Sequence, residues 1–460
     1  MRVSRFAIAA RVGVATSALV VANATVASAG QDDPAVGHPR TGAVTVSEPV
    51  AVDGAGVRGR ALQAAAGDPH LDTTWSGDGI AGLTGNRYTV ALSPQDTGRL
   101  YTASFNQSDA GAMRITRFEA NGTLGTSFGG GDGVLQRRFA PSTNAISFPS
   151  DIIRTGSKFV VVGDHYDGVR ERLGIARMST TGAYDNTFSG DGRVLYRIFP
   201  REHDLLNAWK VQVLNGGKIA IALVAFDLGA GDDYEFAEQA FVRLNANGTL
   251  DTTFHSDGIA IVSDDTSDVT WAADGSTFAG RPVLGGHEIR RLTPAGTLDT
   301  SFSGDGRATV PCDVPDWLGY PRLQVNPAGQ PLLICGDELA DELELTRLTT
   351  TGDPDLTYSD DGNATLDATG GDLEVAWGLV TTPSGAVWLS TRSVSDTSIL
   401  NVHSIDENGD PNAGWGTGVS HTDFSFAVDI NRMAIGGGRT WVALQKSATV
   451  TALTALVPGV

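Results

Sequence analysis

Three observations predict an all-β chain assembled from seven like units. A short segment recurs: LDTTWSGDG at 71–79, GTLGTSFGGGDG at 122–133, GAYDNTFSGDG at 182–192, GTLDTTFHSDG at 248–258, GTLDTSFSGDG at 296–306, GDPDLTYSDDG at 352–362 and a worn copy, GDPNAGWGTG, at 409–418. A glycine turn recurs in the same phase, at Gly98, Gly156, Gly216, Gly275, Gly329, Gly385 and Gly437. Between these markers lie short apolar or alternating runs, punctuated by Gly and Asn, which read as strands and not helices. The aromatic residues of the repeated segment, Trp75, Phe128, Phe188, Phe254, Phe302, Tyr358 and Trp415, follow one another at intervals of 48 to 66 residues. A period in that range marks a repeat architecture.

Each unit reads as four strands. In 203–262, the run KVQVL at 210–214 precedes the turn Asn215-Gly216-Gly217; then come KIAIALV at 218–224, an acidic loop, AFVRL at 240–244, the repeated segment, and IAIV at 259–262. We label the strands a, b, c and d, with the glycine turn between a and b and the repeated segment between c and d. The series opens with a lone d strand near 80–83, runs through six complete units, and ends with a, b and c alone near 424–430, 440–445 and 449–456. One strand at the start and three at the end complete a seventh unit. That split predicts a seven-bladed β-propeller over 71–460, its ring closed by an N-terminal strand that completes the C-terminal blade; closure protects blade edges that would otherwise be open.

The repeated segment carries its own structural logic. Asp-Gly at its end, as in Asp191-Gly192 or Asp305-Gly306, permits positive φ and lets the carboxylate cap amides of the turn. The aromatic is a large apolar wedge, best placed between neighbouring blades. Five copies carry an arginine five residues before the opening glycine, Arg117, Arg177, Arg243, Arg291 and Arg347, and in four of these an aspartate follows eight residues later, Asp185, Asp251, Asp299 and Asp355. A bidentate clamp between them is expected to hold the c–d loop. Gly125 and Ser404 break the pattern in the second and seventh copies. The same aspartates are not read as calcium ligands, because the EF-hand spacing of alternate oxygens and a closing Glu is missing.

Ahead of the repeats, Arg2, Arg5 and Arg11 lead into the mostly apolar stretch 12–26 and then Ala27-Ser28-Ala29-Gly30, the pattern of a secretory signal peptide over 1–30. Thr16, Ser17, Asn23 and Thr25 make that stretch too polar for a membrane span, and no later segment approaches ~20 apolar residues in a row. Residues 31–70 contain no Phe, Tyr or Trp and show no period, so a flexible leader is expected there. These features predict a secreted, extracellular protein without a membrane span. The formal charge of −20 becomes three units more negative once the signal's arginines are removed. Such a field repels nucleic acid and anionic lipid, and it favours solubility.

Repeats of the form G-x-L-D-x-x-F-x-x-D-G, each after a strand with Arg-Leu or Arg-Phe, resemble the bacterial delta-60 repeat family over about 71–457. The resemblance implies an exported or surface β-propeller with no common activity. A looser similarity links the segment to the Asp-box of sialidases, S-x-D-x-G-x-x-W. Here glycine follows the aspartate directly, as in Ser303-Gly304-Asp305-Gly306, and no glycosidase function is carried over.

The only two cysteines are Cys312, at the end of a d strand, and Cys335, at the end of the next b strand. Both ends fall on one face of an up-and-down blade, so a disulfide across the blade boundary is expected, worth about 3 kcal/mol if unstrained. A structural metal site would need more ligands than this pair provides.

No zincin spacing, nucleophile elbow or phosphate loop occurs in a suitable context, and no catalytic residue, cofactor or metal is assigned. Attention therefore falls on loops that depart from the repeat, because propellers bind ligands with them. Two b–c connections stand out: the loop around 164–172, with Asp164, His165, Tyr166, Asp167 and Arg170, and the acidic loop around 226–238, with Asp232, Tyr234 and Phe236. Aromatics beside carboxylates can stack on and hydrogen-bond a sugar or a cationic ligand. The expectation is a monomeric binding or scaffolding module for glycans or surface proteins. The alternative is a propeller hydrolase or lyase whose site is assembled from several blades, favoured by a deep axial pocket of clustered charged groups.

Overall fold

The computed structural model describes residues 59–61, 70–84, 87–106, 111–142, 145–229, 234–262, 266–312, 321–337, 342–367, 374–393, 398–412, 419–424, 429–447 and 450–457. The signal segment, most of the leader, Asp232 and Trp415 lie outside these residues. Seven antiparallel sheets form a closed ring, each blade reading a-b-c-d in space as in sequence. Blade 1 comprises Arg87–Pro94, Leu100–Asn106, Met113–Phe118 and Val134–Arg137; blade 2, Ile146–Thr155, Lys158–Tyr166, Glu171–Ser179 and Arg193–Tyr196; blade 3, Leu205–Val213, Ile219–Leu228, Tyr234–Leu244 and Ile259–Val262. Blade 4 comprises Asp268–Trp271, Thr277–Val283, Gly286–Leu292 and Arg307–Val310; blade 5, Arg322–Val325, Pro331–Asp337, Glu342–Arg347 and Asn363–Asp367; blade 6, Glu374–Thr381, Val387–Ser393, Ile399–Ile405 and Val419–Phe424.

Blade 7 closes the ring. Its a, b and c strands are Asp429–Gly436, Arg439–Ser447 and Val450–Val457, and its d strand is the N-terminal Ile80–Thr84, which pairs Ile80 with Thr454 and Thr84 with Val450. The a strand starts later than the sequence suggested, because Phe424 ends the d strand of blade 6. The leader also departs locally from a flexible tail. Gly59–Ala61 pair with Thr422–Phe424 outside blade 6, and His70–Leu71 pair with Leu456–Val457.

Among the described residues, seven buried apolar clusters form the core, one at each blade interface. Strand b supplies much of each cluster from its near-continuous apolar run, as in Phe159–Val162 of blade 2. Flat blade faces pack on one another here as stacked sheets do, so stability is a sum over neighbours. The a strands line the axis, and adjacent ones approach one another around the ring. Five of them carry a β-bulge in the same region, at Val90, Ser150, Trp209, Trp377 and Asn431. Such bulges kink a strand and re-aim the residue beyond it. Cys312 and Cys335 are joined across the boundary of blades 4 and 5, with Cα atoms 5.6 Å apart. No helix among the described residues is long and apolar enough to cross a membrane.

Candidate functional site

The repeated segments form a belt around one face, and their polar groups are engaged there. Arg177, Arg243 and Arg347 donate Nε to Asp185, Asp251 and Asp355 at 2.7, 2.6 and 2.8 Å, and Arg291 Nε lies 3.2 Å from Asp299. The clamp is not bidentate, as the sequence had suggested. Only one carboxylate oxygen meets the guanidinium, while the other accepts from the residue two positions on, as Asp251 Oδ1 does from Thr253 N and Oγ1. The freed guanidinium nitrogens reach the next blade: Arg177 to Ala246 O, Arg243 to Pro294 O, Arg291 to Thr350 O at 2.9 Å and Arg347 to Glu407 O at 2.6 Å. Arg177, Arg243 and Arg347 also lie over wedge rings, 4.8 Å from Phe188, 4.7 Å from Phe254 and 4.3 Å from Tyr358.

Those rings are fully buried against the next segment's opening glycine, where a Cβ on Gly248 would stand 2.9 Å from Phe188. Each segment's terminal aspartate accepts the amide that begins strand d, as Asp191 does from Arg193 at 3.0 Å. Burial alone would raise the Asp185 and Asp251 carboxyls. Hydrogen bonds from Lys158 and Thr187, and from Lys218 and Thr253, with the arginines, outweigh it and hold both well below the usual carboxylate range.

Where the pattern breaks, the belt repairs itself. In blade 1 Gly125 replaces the aspartate, and Glu119 takes Arg117 at 2.7 Å and Arg99 at 2.6 Å. In blade 6 a neutral pair stands in, with Asn412 Nδ2 3.3 Å from Ser404 Oγ. At the ring closure Ala455 occupies the arginine position, opposite Trp441. There Arg439, two residues earlier on strand b, reaches Asp72 at 2.5 Å, Thr74 at 3.4 Å and Ala120 O at 3.0 Å. The first and last strands are thus tied by the same device from a different strand.

On the opposite face lie the b–c connections, and both candidate loops prove to be hairpin extensions. Asp164 and His165 sit in strand b of blade 2 and are buried. Asp164 accepts the Ala208 amide of blade 3 at 3.1 Å, and burial, reinforced by Glu171, pushes its carboxyl well above the ordinary range. His165 lies 3.4 Å from Ser147 Oγ, its pKa lowered by burial. Tyr166 turns its hydroxyl onto Gly168 O at 2.6 Å. Tyr234 opens strand c of blade 3, and Phe236 is half-buried opposite Phe226. The acidic residues Asp227 and Glu238 face Arg201 and His203 from the blade 2–3 crossover, with Asp227 2.6 Å from Arg201 and 3.0 Å from His203 Nδ1. Of the six predicted residues, Asp232 lies outside the described ones, Asp164 and His165 are buried, and Tyr166 belongs to a different blade from Tyr234 and Phe236. Outside that set, the b–c ends of three successive blades each expose an aliphatic side chain: Val169 (78% exposed), Leu228 (45%) and the fully exposed Leu284.

On the axis, one equivalent position in each a strand, just after the bulge in the five that have one, is held by Ala91, Asp151, Lys210, Asp268, Arg322, Gly378 and Arg432, facing Ala103, Val162, Ala222, Gly280, Ile334, Ser390 and Ala443 of strand b. Lys210 Nζ is 3.1 Å from Asp268 Oδ1. Asp151 Oδ2 accepts the Val211 amide and Asp268 Oδ2 the Leu323 amide, both at 2.8 Å, so each carboxylate staples its blade to the next. Arg432 crosses the axis to Trp209 O at 3.3 Å. Burial pushes the Asp151 carboxyl up against the pull of Arg432, two amides and Lys210. Burial pushes Arg322 down, its attraction to Asp268 opposed by repulsion from Arg432. At the a–b mouth, above Gln212, a cavity of about 300 Å³ is lined by Trp271, Val325, Asn326, Thr381 and neighbours from blades 3 to 6.

Residues 228–254, strand c and one repeated segment of blade 3, match a family model described as a domain of unknown function (DUF5122) beta-propeller. The chain is a β-propeller repeat protein. No curated protein matches it. Among solved structures it is similar to a gluconolactonase from Xanthomonas campestris, at 12% identity over 86% of this chain and 98% of that one (TM-score 0.36). It is also similar to a quinonprotein alcohol dehydrogenase-like protein from Bacteroides thetaiotaomicron, at 12% identity over 80% and 68% (TM-score 0.39). A third likeness is to regucalcin, a calcium-binding protein from Agrobacterium tumefaciens, at 12% over 73% and 89% (TM-score 0.33). Identities this low carry over no activity.

Sequence reasoning missed the axial residues of this propeller. They lie some 50 to 60 positions apart, and their distance to the glycine turn varies from five residues at Asp151–Gly156 to seven at Asp268–Gly275 because the a–b turns differ in length. The available signal was a charged residue inside an otherwise apolar a strand, as at Lys210. It was readable only after blades were aligned through strand b.

Proposed function

We propose that this propeller is a secreted, non-catalytic binding or scaffolding module that engages a surface protein through the b–c face of blades 2 to 4. The observation that carries this reading is the row of exposed aliphatics Val169, Leu228 and Leu284 on three successive blades. Exposed apolar groups clustered on one face and rimmed by polar residues such as Arg201 and Glu238 are typical of protein contact sites. A glycan site would instead offer a free aromatic face, and Tyr166 is folded onto its own loop. The resemblance to the delta-60 repeat family and the signal-peptide pattern over 1–30 support an exported protein, and the Cys312–Cys335 bond is compatible with an oxidising compartment.

The axial charges favour the rival hydrolase or lyase, because they cluster where a propeller site would be assembled. Against it, Asp151 and Asp268 each have both oxygens engaged, by Ile152 and Val211 and by Lys210, Val269 and Leu323, which leaves neither as a ready general base. The test is surface cross-linking with the whole protein beside a Val169→Asp/Leu284→Asp variant, together with thermal melts in soluble glycans. A discrete partner captured by the wild type and lost in the folded variant supports the reading. Saturable stabilisation by a glycan, equal in both proteins, refutes it.

A further inference from the structure

We propose that the axis of the ring is a binding site for a small carboxylate, held by Arg322 with Arg432 and Lys210. The proposal rests on a charge imbalance at equivalent positions of the a strands. Five of the seven positions are ionisable, three cationic and two anionic, so the described ring has one positive charge in excess. Both anions are already engaged: Asp268 by Lys210 and two amides, Asp151 by two amides. Arg322 is half-buried on the axis, its Nε is buried with no hydrogen-bond partner, and no salt bridge joins it to a carboxylate among the described residues. Asp268 attracts Arg322 only from beyond salt-bridge reach, a buried guanidinium nitrogen left unpaired is unfavourable, and a planar donor fork suits a carboxylate. The excess is notable in a chain of formal charge −20.

The route to the site is on the same strands. Gln212 lies two residues beyond Lys210 and lines the cavity of about 300 Å³ at the a–b mouth, as does Val325, three residues beyond Arg322. At a rise of ~3.3 Å per residue, the ring lies roughly 7–10 Å below that lining. A cavity of this size admits a short-chain carboxylate and its water. Oxygens of the ligand would complete Arg322 and bring Arg432 to the same anion, converting like-charge repulsion into shared attraction. This site lies on the opposite face from the proposed protein contact and stands or falls independently of it.

Calorimetric titration of the full chain with sodium acetate in low-chloride buffer, paired with thermal melts, tests it. The wild type is expected to bind one acetate saturably and to melt higher in its presence. Arg322→Met is expected to bind at least about tenfold more weakly, from the loss of a charge-assisted pair, yet to melt no lower than wild type in acetate-free buffer. Arg322→Lys, which keeps the charge and loses the fork, guards against a variant that fails to fold and is expected to bind acetate weakly too. The proposal is overturned if the wild type shows no saturable acetate binding, or if both variants bind acetate as the wild type does.

Discussion

The rim belt and the axial ring are both seven-fold, and they use the repeat in opposite ways. At the rim, blade after blade sets the same residue types on the same partners: Arg243 on Asp251, Arg347 on Asp355, and a buried aromatic against the next glycine. Where one copy loses a member, another side chain restores the contact, as Glu119 and Arg439 do. On the axis the equivalent positions hold alanine, glycine, aspartate, lysine and arginine, and nothing restores uniformity. A property every blade shares serves ring assembly. A property that differs at symmetric positions serves something the ring as a whole does. The difference assigns stability to the belt and specific chemistry to the places where symmetry is broken.

The largest effect should come from the belt. Phe188→Ala empties a fully buried wedge between blades 2 and 3 and should lower stability by about 3–5 kcal/mol, read from the denaturant midpoint. A loss below ~1 kcal/mol would mean that the wedges do not carry the interfaces. The ring closure is a sharper case because its arginine comes from a different strand. A double-mutant cycle of Arg439→Met and Asp72→Asn should give a coupling of about 0.5–3 kcal/mol, and a coupling near zero would detach this pair from the belt.

Away from the belt, pH separates a buried histidine from the clamps. His287, on strand c of blade 4 and hydrogen-bonded to Ser267 at 2.8 Å, is lowered by burial to about 4. An unfolded histidine titrates near ~6.5. Between those values the unfolded state binds more protons, so stability should fall as pH drops through that window. The depressed clamp carboxylates contribute fully above ~3.9 and lose their contribution only below it. Melting curves should therefore show a decline from pH ~6.5 to ~4 that His287→Gln flattens, and a steeper loss below. The smallest effect concerns the residue two after the wedge. Copies there carry Gly77, Gly190 and Gly304 at positive φ, whereas Ser256 sits at +63°. Ser256→Gly should raise stability by up to about 1 kcal/mol, by relieving the left-handed penalty.

The belt was legible in the sequence because its partners are close neighbours that recur. Arg243 and Asp251 are eight residues apart, and five copies show the same spacing of arginine and glycine. The closing strand was legible for the same reason, since one orphan at 80–83 and three beyond 424 leave a single arrangement. The geometry of the clamp was not, because the carbonyl that displaces the second carboxylate contact belongs to the next blade. The b–c candidates were read as loops because polar residues dominate them. Tertiary pairing extends the hairpins through Asp164 and Asp227, and an inter-blade amide claims the Asp164 carboxylate. The axial ring was hidden because its members lie some 50 to 60 residues apart and a–b turns of different length vary their distance from the glycine marker.

The comparison is tested most directly by unfolding Arg243→Met and Arg322→Met side by side in denaturant. Both remove a guanidinium, one buried and bound to Asp251, Thr253 and the Pro294 carbonyl, the other half-buried and without a hydrogen-bond partner at Nε. The rim variant should lose about 3–5 kcal/mol, and the axial variant should match or exceed the wild type. Equal losses, or a larger loss at the axis, would contradict the division of labour between belt and axis.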